Sequence, residues 1–308
     1  MQRVLTSVTL LGLLVATAAA FVVTEHLKLI KSPLYGTAVP KVLSPVCGCP
    51  SRVARIGFRL RHPSRVTVTI VDASHHIVDT VASDVHLSAR GRHHVDWHGE
   101  TDSGSRAPDG DYYPWITLNG RRTYKLPNKI VLDTKPPKVL AAKGLKPVLL
   151  AGKGRTLAIG YSFSKKAHAV VYLGSHRIIR GRKTRKHAKI KWAGTRGGAP
   201  LPAGTYVLSI GAEDVFGNVT PAAGRRQVTV DVRYVELTPE RVTVRSGKSF
   251  RVHVETAARH YTWRLGKRHG KRHVKSLRLR APTTPGTYRL VVTGNGHSTT
   301  AAVEVRGK

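Results

Sequence analysis

The chain has 308 residues, with 52 Lys plus Arg against 17 Asp plus Glu, for a formal net charge of +35. That balance argues against a role resting on a neutral or acidic surface and places a polyanion close to the protein. At roughly 100–200 residues per domain the length allows two or three domains, and the scarcity of aromatics beside plentiful Val, Thr, Gly and Pro favours short strands joined by turns over helices.

Val4 to Val23 is a run of twenty uncharged residues. At about 1.5 Å per residue it is long enough to cross a hydrocarbon core of about 30 Å. Residues 1–23 are therefore expected to form an N-terminal transmembrane helix or signal anchor. Ala18-Ala19-Ala20 offers a small-residue cleavage site, whereas Phe21-Val22-Val23 prolong the apolar run as a retained anchor would. The first reading gives a secreted protein and the second a single-pass cell-membrane protein. Both put the bulk outside the cytoplasm.

Residues 24–50 show no sustained period and several prolines, which predicts an extended stalk. The stalk carries the chain's two cysteines, Cys47 and Cys49, and in an oxidising envelope such a pair does not stay free. An intrachain bridge, a redox-active bond and a bridge to a second chain are all open. Zinc would need two further ligands that the spacing does not supply.

Periodicity begins beyond the stalk. Arg65 to Asp72 alternates Val66, Val68 and Ile70 with threonines, the pattern of a strand with one buried face. Tyr113–Leu118 and Arg121–Leu126 flank Asn119-Gly120, a two-residue turn signal that predicts a hairpin.

Internal repetition organises the rest. IGFRLRHPSRVTVTIVD from Ile56 aligns with IGYSFSKKAHAVVYL from Ile159, and WHGETDSGSRAPDGDYYPWITL from Trp97 aligns with WAGTRGGAPLPAGTYVLSI from Trp192. A weaker third copy of the last element is Pro285-Gly286-Thr287-Tyr288. The shared residues are Trp97, Gly99, Pro108, Gly110 and Tyr112 in one copy, and Trp192, Gly194, Pro202, Gly204 and Tyr206 in the other. Trp supplies a large apolar burial, Gly a tight departure, and Pro-x-Gly a corner that returns Tyr to the opposite sheet.

This arrangement resembles the Ig-like domain of the FlgD type, found in flagellar hook-capping proteins and many exported bacterial proteins. Leu132-Asp133-Thr134-Lys135-Pro136-Pro137 is similar to the interdomain linkers of bacterial Ig-like arrays, and Ala212 to Val219 to their penultimate-strand hairpin. The resemblance implies an all-β array of tandem Ig-like sandwiches after the N-terminal helix: 51–137, 138–234, and a smaller C-terminal β-domain over 235–308. It implies a scaffold or tether, no cofactor and no enzymatic activity. The apolar N-terminus, the extreme charge and the lack of a hook-assembly region argue against a hook-capping role.

Glu100, Asp102, Asp109 and Asp111 raise the question of calcium, since hard cations want several carboxylates from one loop. The second copy lacks these acids at the same turn, so they read as turn chemistry and no metal is expected. The histidines, including His75-His76 and His93-His94, form no catalytic or metal-binding pattern and read as surface.

Two basic runs remain, His176–Lys191 and Arg264–Arg280. Arg180, Arg182, Lys183, Arg185 and Lys186 in the first, and Lys267, Arg268, Lys271 and Arg272 in the second, are the candidate polyanion contacts. Anionic cell-envelope polymers or lipid headgroups are the expected partners, with nucleic acid disfavoured by the lack of aromatic stacking platforms. The leading expectation is a membrane-anchored, non-enzymatic scaffold or binding protein of the envelope. The alternatives are a surface adhesin or nucleic-acid-binding protein and, third, thiol-disulfide exchange through the Cys pair.

Overall fold

The computed structural model describes residues 11–22, 32–146, 148–152 and 155–307. A helix covers 11–22, and no helix among the described residues is long and apolar enough to cross a membrane. The rest of the Val4–Val23 run, residues 4–10 and 23, lies outside the described residues. Among the described residues, the chain from residue 34 onward is built from β-strands and turns, with two single-turn 3-10 helices at Pro50–Arg52 and Ala222–Gly224.

The expected stalk is corrected from residue 34. Leu34–Ala38 forms β1, which pairs antiparallel with β3 (Ala54–Leu60), while Val42–Leu43 forms β2, parallel to β9 (Ile130–Leu132). Leu34 and Leu43 are buried in the same core as Trp97. The segment shows no period in the sequence because the chain leaves one sheet for the other after a few residues, so neither face repeats for long.

The strands between them are β4 (Ser64–Val71), β5 (Ile77–Leu87), β6 (His93–Trp97), β7 (Gly110–Leu118) and β8 (Arg122–Lys125). They complete a sandwich whose layers run β1-β3-β6 and β2-β9-β7-β4-β5, with β8 paired to β7. Asn119 and Gly120 both take positive φ, 51° and 64°, and turn β7 into β8 at the predicted hairpin.

By compactness the chain divides at Thr134, and the second unit, Lys135–Lys308, holds two more sandwiches. The first of these comprises β10 (Val139–Gly144), β11 (Val148–Leu150), β12 (Leu157–Leu173), β13 (His176–Arg180), β14 (Arg185–Trp192), the short pair β15 (Thr195–Arg196) and β16 (Ala199–Pro200), β17 (Gly204–Glu213) and β18 (Arg226–Arg233). The long β12 serves both layers. Its first half pairs with β10 and β14, and its second half with β13 and β17.

The last sandwich packs β19 (Val235–Thr238), β21 (Ser249–Thr256) and β24 (Ser276–Arg280) against β20 (Arg241–Arg245), β26 (His297–Arg306), β25 (Gly286–Gly294), β22 (Tyr261–Leu265) and β23 (Arg268–Arg272). One plan recurs in all three. An opening strand joins the three-stranded layer, then the chain crosses and pairs parallel with the final strand, as β2 with β9, β11 with β18 and β20 with β26. Each sandwich has its own apolar cluster, around Trp97 and Phe58, around Trp192 and Phe163, and around Trp263 and Leu265.

Candidate polyanion-binding surfaces

The repeated motif forms a corner. Trp97 closes β6 and its indole N–H donates to the Glu100 carbonyl at 2.9 Å; Trp192 closes β14 and donates to the Thr195 carbonyl at 3.0 Å. Gly99 and Gly194 both hold φ at 75°, a conformation that side chains resist. The Tyr112 hydroxyl donates to the Pro108 carbonyl at 2.6 Å, and Tyr206 to Pro202 at 2.9 Å. Tyr288 makes the same four-residue return to Thr284 at 3.0 Å. Such a tyrosine, near the start of the strand that follows the corner, is a recurrent fastening of immunoglobulin-like sandwiches. Gly110 and Gly204 open those strands.

The acids of the first corner have local partners. Asp102 accepts from the Thr80 amide at 2.8 Å, Asp109 from the Thr134 amide and hydroxyl at 2.8 and 2.9 Å, and Asp111 from Lys129 at 2.5 Å. Burial, then the nearby Asp102 and Glu100, hold the Asp79 carboxyl above the usual range. Among the described residues no three His, Cys, Asp or Glu side chains converge as a metal would require.

Cys47 and Cys49 form a disulfide with Cα atoms 5.2 Å apart, in the loop between β2 and β3. The loop is knit by backbone bonds from Ser44 to Ser51 at 2.8 Å and from Cys47 to Ser44 at 3.1 Å. Cys47 is buried, and Pro45 lies so close to Gly99 that a Cβ there would stand 2.6 Å from the proline Cγ.

The basic runs are not uniform. His176–Lys191 supplies β13, a turn and β14, while Arg264–Arg280 spans the end of β22, β23 and β24. Arg180 is spoken for, since its guanidinium donates twice to Glu213, at 3.0 Å each, with Arg177 adding a contact at 3.4 Å. The Arg180 hydrogen bonds, offset in part by burial, hold the Glu213 carboxyl below its usual range. Arg182, Lys183, Arg185 and Lys186 are exposed. So are Lys267, Arg268, Lys271 and Arg272, although Arg268 donates to the Arg280 carbonyl at 2.7 Å and Arg272 to that of Lys271 at 3.0 Å. Lys271 lines a shallow concavity of about 540 Å³ with Arg264 and His269.

Strand alternation sorts the first run further. Along β14, Ala188, Ile190 and Trp192 face the core, so His187, Lys189 and Lys191 face outward, opposite Ser162, Gly160 and Ala158 of β12. Lys143 of β10 flanks Gly160 from the other side. No carboxylate occurs in the sequence between Asp133 and Glu213, and the acids of this sandwich sit at Glu213, Asp214 and Asp231, on or beside β17 and β18. Lys189 and Lys191 belong to the first basic run without being among its expected contacts, and Lys143 lies outside it, because their grouping depends on register. The signal that could have found them is the parity of the cations on a predicted strand.

The model of the FlgD Ig-like domain family matches residues 51–119, and the corner of the second sandwich repeats that domain's motif. No curated protein matches the sequence. Among solved structures, a mutated three-Ig fragment of titin aligns at 12% identity over 90% of this chain and 99% of its own, with a TM-score of 0.30. A Bacteroides ovatus protein of a mixed-linkage glucan utilization locus, solved with a heptasaccharide, aligns at 11% identity over 90% of this chain and 71% of its own, TM-score 0.26. Immunoglobulin domains 1–5 of Sidekick-1 align at 13% identity over 89% of this chain and 60% of their own, TM-score 0.26.

Proposed function

We propose that the protein is a non-enzymatic, extracytoplasmic scaffold of the bacterial cell envelope, held at the membrane through its N-terminal apolar run, whose Ig-like domains bind anionic envelope polymers. The observation that carries this reading is the exposed β10–β12–β14 face of the second sandwich, where Lys143, His187, Lys189 and Lys191 are grouped with no acid among them. Opposite charges would normally be interspersed on a protein surface, and their segregation favours a polyanionic partner. The uncharged Val4–Val23 run supports export and anchoring. The FlgD-type corner supports a structural role, because its Trp and Tyr polar atoms are already bonded to backbone.

Two measurements test the reading. Cell fractionation should recover the protein with the membrane and resist release by salt. The full chain in zwitterionic detergent should bind a purified anionic wall polymer with an affinity that falls steeply as salt rises. Recovery in the cytosolic fraction, or binding indifferent to salt, would refute it.

A further inference from the structure

We infer that the outer face of the β10–β12–β14 sheet is a groove for a linear phosphodiester polymer, an inference that rests on the function proposed above and gives it a surface. The floor of the groove is the middle strand, where Ala158, Gly160 and Ser162 face outward. Its walls are the flanking strands, with Lys143 on one side and His187, Lys189 and Lys191 on the other, all exposed.

Strand geometry sets the dimensions. Adjacent strands lie about 4.8 Å apart, so Lys143 and Lys189 stand roughly 10 Å apart across Gly160, while Lys189 and Lys191 repeat at about 6.8 Å along one wall. The floor is open. A Cβ placed on Gly160 would find nothing nearer than the Lys143 carbonyl oxygen at 3.8 Å and the Leu145 side chain at 4.0 Å. Ser162 and His187, whose Oγ and Nδ1 lie 2.9 Å apart, add hydrogen-bonding groups at one end.

The equivalent faces of the other sandwiches are closed to such a chain. In the first, Arg55 is paired to Asp96 at 2.9 Å, and a Cβ on Gly57 would meet Arg92 and His94 side chains at 3.2 Å. In the last, the middle strand carries Arg251 directly opposite Arg278, so the floor itself is filled. A recessed floor with Lys143 on one side and Lys189 and Lys191 on the other suits a thin chain bearing regularly spaced negative charge. A bilayer, approaching as a plane, would meet the lysine tips and leave the floor unused.

The test adds one carboxylate at the floor. Gly160→Glu sets an acid between Lys143 and Lys189 at little steric cost, Gly160→Gln is its neutral control, and Lys143→Gln/Lys189→Gln/Lys191→Gln strips the walls. Each is made in the full chain and checked for wild-type thermal unfolding. Binding to poly(glycerol phosphate) should fall roughly 100-fold for the triple variant, with its logarithmic salt slope reduced by about 2, and roughly 5–10-fold for Gly160→Glu. Gly160→Gln and the hairpin variant Arg182→Gln/Lys183→Gln should stay within about twofold of wild type.

Wild-type binding that survives in Gly160→Glu but disappears in the hairpin variant overturns the groove and leaves the proposed function standing. A wild type that binds no anionic polymer overturns both. Tighter, Gly160→Glu-sensitive binding to anionic vesicles or to single-stranded DNA overturns the occupant.

Discussion

The corner at Trp97 and the corner at Trp192 share a hydrogen-bonding plan and differ in charge. In both, the indole N–H caps a carbonyl three residues on and a tyrosine hydroxyl returns to a carbonyl four residues back. The first surrounds this frame with carboxylates bonded to neighbouring backbone and Lys129; the second has Thr195, Arg196 and glycines in their place. The frame is therefore sufficient for the turn, and the charge around it is free to follow another demand. In the first sandwich that demand is met internally, by pairs such as Arg55–Asp96 and Arg65–Asp84. In the second, the cations of the three-stranded face have no acid among them.

The sharpest way to break the comparison is to remove the shared part. Trp97→Ala and Trp192→Ala are each expected to cost about 3–5 kcal/mol and to unfold the sandwich that carries them, because both side chains are fully buried. Denaturant titration of the full chain, followed by tryptophan fluorescence and backbone circular dichroism, should show one transition shifted in each variant. Equal loss would confirm that the surrounding acids contribute little to the first corner. A much milder effect at Trp97 would show the carboxylates holding the turn without it.

Next in size is a difference between two glycines of the first corner. Gly99 and Gly104 share φ of 75°, so alanine is strained by about 1–2 kcal/mol at either. At Gly99 the new methyl also collides with Pro45, whereas at Gly104 it meets nothing within 4 Å. Gly99→Ala should therefore lose about 1–3 kcal/mol more than Gly104→Ala, a gap readable as a difference in denaturation midpoints. Equal losses would mean that the Cys47–Cys49 loop yields freely.

These two tests also mark what the sequence made legible. Trp97, Trp192 and the Pro-x-Gly-x-Tyr phrases announce the sandwich because a few bulky or conformationally special residues must recur wherever the corner recurs. Asn119-Gly120 is readable for the same reason, since the turn demands positive φ at both positions. Leu34–Leu43 was hidden by its change of sheet. The basic groove was hidden differently: Lys143 and Lys189 are neighbours of one glycine only through the register of β12 with two other strands. Arg180 was misleading for the converse reason, its partner Glu213 arriving from a distant strand.

A smaller effect separates the tyrosines from the tryptophans. Tyr112→Phe, Tyr206→Phe and Tyr288→Phe each delete one hydroxyl bond while keeping the ring, and each should cost about 1 kcal/mol in thermal or chemical unfolding. Similar values would place the last sandwich, which lacks a Trp at this corner, under the same fastening rule.

The smallest expected contrast lies in pH dependence, and there the two copies have opposite signs. Glu213 is held below its usual range by the Arg180 hydrogen bonds, so it adds stability above the unfolded carboxylate pKa, and that contribution is lost as pH falls through the folded value. Asp79 is held above its range by burial and then by Asp102, so the folded state keeps its proton longer than the unfolded one and stability falls as pH rises through that window. At neutral pH, Glu213→Gln should destabilise the second sandwich, whereas Asp79→Asn should leave the first unchanged or slightly more stable. Both effects should stay within about 1 kcal/mol, since Arg180 and its neighbours are partly solvated. Thermal unfolding at pH 7 and at pH 3 separates them: the deficit of Glu213→Gln should shrink at the lower pH, as should any gain from Asp79→Asn. A deficit of Glu213→Gln that persists at pH 3 would mean that packing, and not its charge, sets the value of Glu213 to the fold.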